Sequence, residues 1–211
     1  MPADPVNRWT PLRHWASIAA MNHDPLSGLA RVRFVELGAK ALRALAGGDL
    51  AGGSAEAGIA LDEYFVCDRA RWVFGYRADQ LAEDPSVAPW ITRAAVSRAD
   101  GAVVGYAGFH GPPDETGTVE LGYTVVPAYR RRGYARAMLT ALLARAVAEP
   151  GVTTVRASIS PDNDASLATI AGFGFTRVGE QWDERDGLEF VFEVPADVIP
   201  AERLEGSGGR G

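Results

Sequence analysis

The residues with the most chemical content lie together in one short run, Arg130-Arg131-Arg132-Gly133-Tyr134-Ala135-Arg136. A strand-like stretch, Thr118 to Val126, runs into it, and a helix rich in Ala, Leu and Arg is predicted to leave it over Arg132 to Ala148. The first turn of a helix carries backbone N–H groups without partners and the positive end of the helix dipole. An anion is the natural ligand at such a place. Gly133 and Ala135 offer little or no side chain, so a phosphate can come close to the backbone. Arginine guanidiniums beside those amides add positive charge. The combination suits a pyrophosphate. The triplet Arg130-Arg131-Arg132 alone would read as a solvated basic face; the Gly-x-Ala that follows it at a strand-to-helix junction changes that reading. The phosphate loop ending in Gly-Lys-Ser/Thr is missing, and so is the three-glycine dinucleotide fingerprint.

The elements that must position this run follow from periodicity. Arg31 to Leu37 alternates as a half-buried strand does, and Ala39 to Ala46 reads as a short helix stopped by Gly47-Gly48. A flexible stretch is expected through Gly52, Gly53 and Gly58. Asp62 to Glu83 shows Tyr64, Phe65, Trp72, Val73, Tyr76 and Leu81 at helical spacings, and Pro85 ends it. That aromatic stripe reads first as core, with Trp72 or Tyr76 lining a cleft as the alternative. Trp90 to Arg98 and Ala102 to Phe109 read as strands joined at Asp100-Gly101, a strong hairpin signal. With Thr118 to Val126 they form an antiparallel meander. After the long helix come a strand, Val152 to Ile159, a helix, Asn163 to Ala171, and two closing strands, Phe175 to Gln181 and Leu188 to Val194. Strand, long helix, strand is a βαβ crossover, so those two strands should run parallel. The fold class is therefore α/β (α+β), a mixed and mostly antiparallel central sheet flanked by helices.

Bulk properties narrow the function classes. The chain has 211 residues, enough for one domain with a sizeable core. Residues 1–29 hold turn formers and little periodicity and read as an N-terminal extension; residues 30–196 form the domain; residues 197–211 read as a flexible C-terminal tail. The net charge of −6 argues against nucleic acid. No apolar run approaches the roughly 20 residues of a membrane span, and no signal peptide is read, so cytoplasmic residence is expected. The single cysteine, Cys67, precludes an internal disulfide and disfavours a cysteine zinc site. It reads as a small buried hydrophobe, the alternative being a reactive thiol. No metal is expected.

Arg130-x-x-Gly133-x-Ala135 resembles the acetyl-CoA-binding motif of the GNAT superfamily, Gln/Arg-x-x-Gly-x-Gly/Ala. Gly122-Tyr123, Val126-Pro127, the run Pro161 to Leu167 and Gly172-Phe173-Gly174-Phe175 resemble that family as well, in its order and spacing. The resemblance is nearest to the branch of ribosomal-protein N-terminal acetyltransferases. It covers Val32 to Val194.

The resemblance implies a GNAT fold and transfer of an acetyl group from acetyl-CoA to a primary amine of a small molecule or protein N-terminus, by direct attack. The backbone around Val125 and Val126 would hold pantetheine as an added strand, in the gap left where two central strands splay. The segment Arg130, Arg131, Arg132, Gly133, Tyr134, Ala135 and Arg136 would hold the pyrophosphate, and Asn163 would contact the pantetheine arm. An attacking amine must lose a proton, and Glu120 is the candidate base. Ser166 is the candidate acid or thiol-orienting group; many relatives use a tyrosine four residues later, where this chain has Ile170. His110 is a lesser candidate base, against a plain loop residue, and Trp182 to Gly187 reads as a solvated turn that could border the acceptor pocket. A monomer or homodimer is expected. A module that senses acyl-CoA without catalysis is the alternative function, because the anion loop fits both.

Overall fold

The computed structural model describes residues 31–199 and Leu204. The extension over residues 1–29 and most of the tail lie outside them. Seven strands form one sheet in the order β1-β2-β3-β4-β5-β7-β6, with β1 Val32–Glu36, β2 Arg93–Ser97, β3 Val103–Phe109, β4 Thr118–Val125, β5 Thr154–Ile159, β6 Thr176–Asp183 and β7 Gly187–Pro195. Every neighbouring pair is antiparallel except β4 and β5, which run parallel as the crossover requires. That pairing is short. It spans Thr118 to Glu120 against Thr154 to Arg156, after which β4 continues to Val125 and β5 to Ile159 without partnering each other.

The helices are α1 Ala39–Ala46, α2 Leu50–Ala57, α3 Asp68–Glu83, α4 Tyr134–Ala148 and α5 Asp164–Ile170. One face of the sheet packs on α4, through Met138, Leu139, Leu142 and Leu143, and on α5 through Ile170. Burying four such side chains contributes roughly 6–12 kcal/mol before entropy, far more than any single contact of the loop that precedes α4. The helix axis, and with it the position of its first turn, is therefore set by the core. The other face packs on α1 and α3 through Leu42, Leu45, Phe65, Phe74 and Tyr106.

The region read as flexible is instead α2. Asp49 caps it, accepting from the Gly52 amide at 2.8 Å. Gly53 is there for packing rather than freedom: a Cβ on it would lie 2.6 Å from Leu45 Cδ2. The predicted helix over 62–83 divides at Cys67 into a short 3-10 turn, Glu63–Val66, and α3. Cys67 is half-buried against the second core. Helix α4 begins at Tyr134, two residues later than predicted, because Gly133 adopts a left-handed φ of +81° at its N-cap. Packing continues past residue 196. Ala196–Val198 form a 3-10 turn, Ile199 is buried and Leu204 rests against the first core.

Candidate active site

Strand β4 connects two functional ends. At its C-terminal end, Pro127–Tyr129 turn once and Arg130 to Gly133 lead into α4. Arg131 takes a left-handed φ of +58°, rare for a residue with a side chain. No amide from residues 131–136 donates to a backbone carbonyl among the described residues. This is a cluster of free N–H groups at a helix start. The arginines are held over aromatic faces: Arg130 over Tyr64 at 5.9 Å, Arg132 over Tyr129 at 5.5 Å and Arg136 over Phe173 at 4.6 Å. Arg130 also donates to the Val125 carbonyl at 3.2 Å. Tyr134 is buried and donates to the Ser97 hydroxyl at 3.2 Å, so its side chain belongs to the core and only its backbone faces the loop.

A fifth cation, Arg31, was missed in the sequence. It donates to the Arg132 carbonyl at 2.8 Å and lies over the Tyr134 ring at 5.1 Å. It sits just before β1, a hundred residues from the loop, and no local pattern announces it.

The backbone of β4 alternates. Val126 donates to the Val104 carbonyl at 2.9 Å and Glu120 accepts from the His110 amide at 2.7 Å, so even-numbered residues are bonded to β3. Leu121, Tyr123 and Val125 therefore turn their amides and carbonyls toward the unpaired gap beside β5. Val126, by contrast, has its amide committed to β3. The gap has the unpaired backbone that an extended pantetheine arm would use, and the loop has the free amides and guanidiniums that a pyrophosphate would use. Coenzyme A fits these residues.

Beside β4, from Glu120 to Thr124 and including the gap it shares with β5, a cavity of about 740 Å³ opens between α3, β4, β5 and the β6–β7 hairpin. Glu120, Ser166 and Asn163 all line it; Val125, Val126 and residues 130–136 do not. The β3–β4 register has no bulge, so Glu120 shares a face with Gly122 and Thr124, the face toward α3. Tyr123 points to the opposite face, where the Ser166 and Thr169 hydroxyls approach its own. Burial raises the Tyr123 pKa, those two hydroxyls offset part of the shift, and no hydrogen-bond geometry is reached. Glu120 and Ser166 thus flank the gap from its two sides. Asn163 caps α5 by accepting from the Ser166 amide at 3.1 Å, which leaves its side-chain NH₂ group available.

His110, which the sequence reading ranked low, stands beside Glu120, its Nδ1 3.7 Å from the carboxylate. Its ring needs Gly122: a Cβ there would meet Nε2 at 3.1 Å. Its side chain is about half-exposed toward the cavity, yet crowding by the surrounding wall lowers its pKa; Glu120 opposes that shift and Arg77 adds to it. A neutral imidazole is therefore favoured. Arg77, buried, donates to the His110 carbonyl at 2.9 Å and to Gln80 at 2.7 Å.

Trp72 and Tyr76 are about half-exposed and line the cavity rather than the core, while Phe65 and Phe74 are the buried aromatics of this region. The polar turn after Trp182 likewise borders the cavity, through Asp183 and Asp186. It is anchored to α3 by a two-pronged Arg69–Asp186 pair. Among the described residues no group of three or more His, Cys, Asp or Glu side chains could hold a metal. No described helix is long and apolar enough to cross a membrane.

Comparison with known proteins agrees with this architecture. The chain is 34% identical over 73 residues to the uncharacterized N-acetyltransferase YjdG of Bacillus subtilis, covering 35% of this chain and 44% of that protein. It is 41% identical over 87 residues to the N-alpha-acetyltransferase RimI of Mycobacterium tuberculosis, covering 39% and 51%. The chain thus spans about half the length of the curated relatives it matches. The crystal structure of the ribosomal-protein-S5-alanine acetyltransferase of Vibrio fischeri superposes with a TM-score of 0.55, covering 80% of this chain and 94% of that one. At 15% identity that likeness shows the fold alone. Residues 64–176 match the family described as the acetyltransferase (GNAT) domain, more than half of the sequence. That segment holds the splayed strand pair, the arginine loop and the α4 start, so the chain belongs to the GNAT acetyltransferase family.

Proposed function

We propose that this protein is an N-acetyltransferase that moves an acetyl group from acetyl-CoA to a primary amine of a small molecule or a protein N-terminus, by direct attack. The observation that carries the reading is the continuity of β4: one strand leads from unpaired loop amides, along unpaired backbone, to a cavity holding a carboxylate and an imidazole. Acetyl-CoA when bound supplies the activated thioester. The amides of residues 131–136, with Arg130, Arg131, Arg132 and Arg136, would hold its pyrophosphate, and the backbone of Leu121, Tyr123 and Val125 its pantetheine arm.

The chain's own groups divide the remaining work. Glu120 takes a proton from the incoming amine, directly or through a water, on the α3 side of β4. His110 beside it, held neutral, is a second proton acceptor within reach of the same carboxylate. On the opposite side Ser166, with Tyr123 next to it, orients the sulfur and supplies a proton to it. A backbone N–H of the gap-facing set, near Val125, points where negative charge develops on a carbonyl oxygen. Asn163 offers its amide NH₂ to the arm. We also propose a cytoplasmic monomer or homodimer that uses no metal and no nucleic acid.

The arginine loop alone would serve a non-catalytic acyl-CoA sensor equally well. Thiol release from acetyl-CoA over a panel of amines, with mass detection of the acetylated product, separates the two. Turnover that disappears in Glu120→Gln supports the enzyme. Thermal stabilisation by coenzyme A without turnover on any amine leaves the sensor.

A further inference from the structure

The wall of the cavity that the β6–β7 hairpin supplies is acidic in a way that the transfer reaction does not require. Asp183, Asp186 and Glu189 line it from the β6–β7 hairpin, with Glu120 across from them. The cations in the same wall are already engaged. Arg69 gives both prongs to Asp186, and Arg77 donates to Gln80 and the His110 carbonyl. Arg185 lies over the Trp72 ring at 4.9 Å, outside the lining.

Negative charge is left without a partner. Glu189 accepts through one oxygen from Gln181 at 3.1 Å; Asp183 accepts through one oxygen from the amides of Arg185 and Asp186, each at 2.8 Å. Their other oxygens receive no protein donor among the described residues. Burial, followed by the charges of Asp183, Asp186 and Glu120, raises the Glu189 pKa. A second and separate feature points to a ligand. Tyr106 is only 4% exposed and lines this cavity; the Thr124 hydroxyl approaches its own, but no hydrogen-bond geometry is reached. Burial pushes its pKa up to about 12, so it stays a neutral hydroxyl that can accept from an ammonium. Between these groups Trp72, Val73 and Tyr76 present apolar surface, which suits methylene groups.

We infer that the acceptor is an alkyl amine bearing a second cationic centre, whose distal ammonium is held by Glu189, Asp183 and the Tyr106 hydroxyl while its reacting nitrogen faces Glu120. The inference rests on the reading of this cavity as the acceptor end. A singly charged amine would meet the same Glu120 but leave the hairpin carboxylates unmatched. An α-carboxylate would find Arg69 occupied and the Arg77 Nε buried.

The test compares diamines with monoamines of equal length, putrescine against n-butylamine and cadaverine against n-pentylamine, by calorimetric titration into the free full-length protein. The diamine is expected to bind at least about tenfold tighter, with the margin shrinking as salt is added. Glu189→Gln, checked for folding by circular dichroism, is expected to bring the ratio close to one. Equal affinities in the wild-type protein overturn the inference, as does a ratio that survives in folded Glu189→Gln. The wild-type comparison decides alone if the variant does not fold. Coenzyme A binding and thiol release, measured in parallel, keep the two claims apart. Tighter putrescine binding without thiol release on any amine refutes the proposed reaction, and with it the acceptor role, and leaves only a dication-binding cavity. Equal acetylation and equal binding of both amines overturns the inference and leaves the reaction standing.

Discussion

The two ends of β4 are built on different principles. The loop end is contiguous: seven residues in sequence, from Arg130 to Arg136, supply its amides and guanidiniums, with Arg31 the one distant contributor. The cavity end is assembled from α3, β3, β4, β5, α5 and the last hairpin, and its lining runs from Arg69 to Glu189. The loop end suits a diphosphate, a group shared by every acyl-CoA. On the proposed reading, the cavity end is where one acceptor is told from another. An enzyme divided in this way can change its acceptor by altering scattered side chains without disturbing the anion grip, because the core under α4 holds that grip in place.

That division predicts variants whose effects separate. The largest effect is expected from Glu120→Gln, which should lower kcat/KM about a hundredfold or more while leaving coenzyme A affinity within about twofold. Steady-state kinetics beside calorimetry would read both; a matching loss of coenzyme A binding would show that the ends are not independent. Next comes Gly133→Val. Its φ of +81° is strained for a branched side chain, and a Cβ there lies 2.7 Å from Arg31 Nη1. Coenzyme A affinity should fall roughly tenfold or more, because the strain acts on the amides that hold the anion.

Smaller and sharper is the pair Ser166→Ala and Tyr123→Phe. Each should lower kcat by about an order of magnitude, and the double variant should lose less than the product, since neighbouring groups act together. Additive losses would mean that the two hydroxyls do not share a task. The smallest effect concerns the hairpin anchor. Arg69 holds the Asp186 pKa below its ordinary value. The resulting stability is present above the unfolded carboxylate pKa and is lost as pH falls through the lower folded value. The pair is partly exposed, so the gain at neutral pH should stay below about 1 kcal/mol. Urea unfolding of Asp186→Asn should show a deficit at neutral pH that vanishes in strong acid; a deficit that persists there would point to packing instead of charge.

Particular residues show how much was legible. The parallel crossover was predictable because a long helix between two strands carries the chain back to the end of the sheet where it started. The strand-to-helix bend with free amides at 131–136 was predictable because free amides at a helix start are a local property of the backbone. Glycines at 52 and 53 misled, since the pull of Asp49 on the Gly52 amide and the need to fit Gly53 against Leu45 outweighed intrinsic propensity. Trp72 and Tyr76 have helical spacing whether they face core or cleft, and only the position of the last hairpin decides between the two. His110 and Glu120 look like unrelated residues of consecutive strands until the antiparallel register sets them side by side.

By itself, then, the sequence determined the family and the kinds and order of most of the elements, and it marked a loop whose charge and helix start suit a diphosphate, because hydrophobic period, helix start and charge are encoded within a few neighbouring residues. Which carboxylates face one another across the cavity, and which hydroxyls remain without partners inside it, was decided only in three dimensions. Sheet order and strand register bring together groups more than a hundred residues apart, and nothing short-ranged in the chain records those meetings.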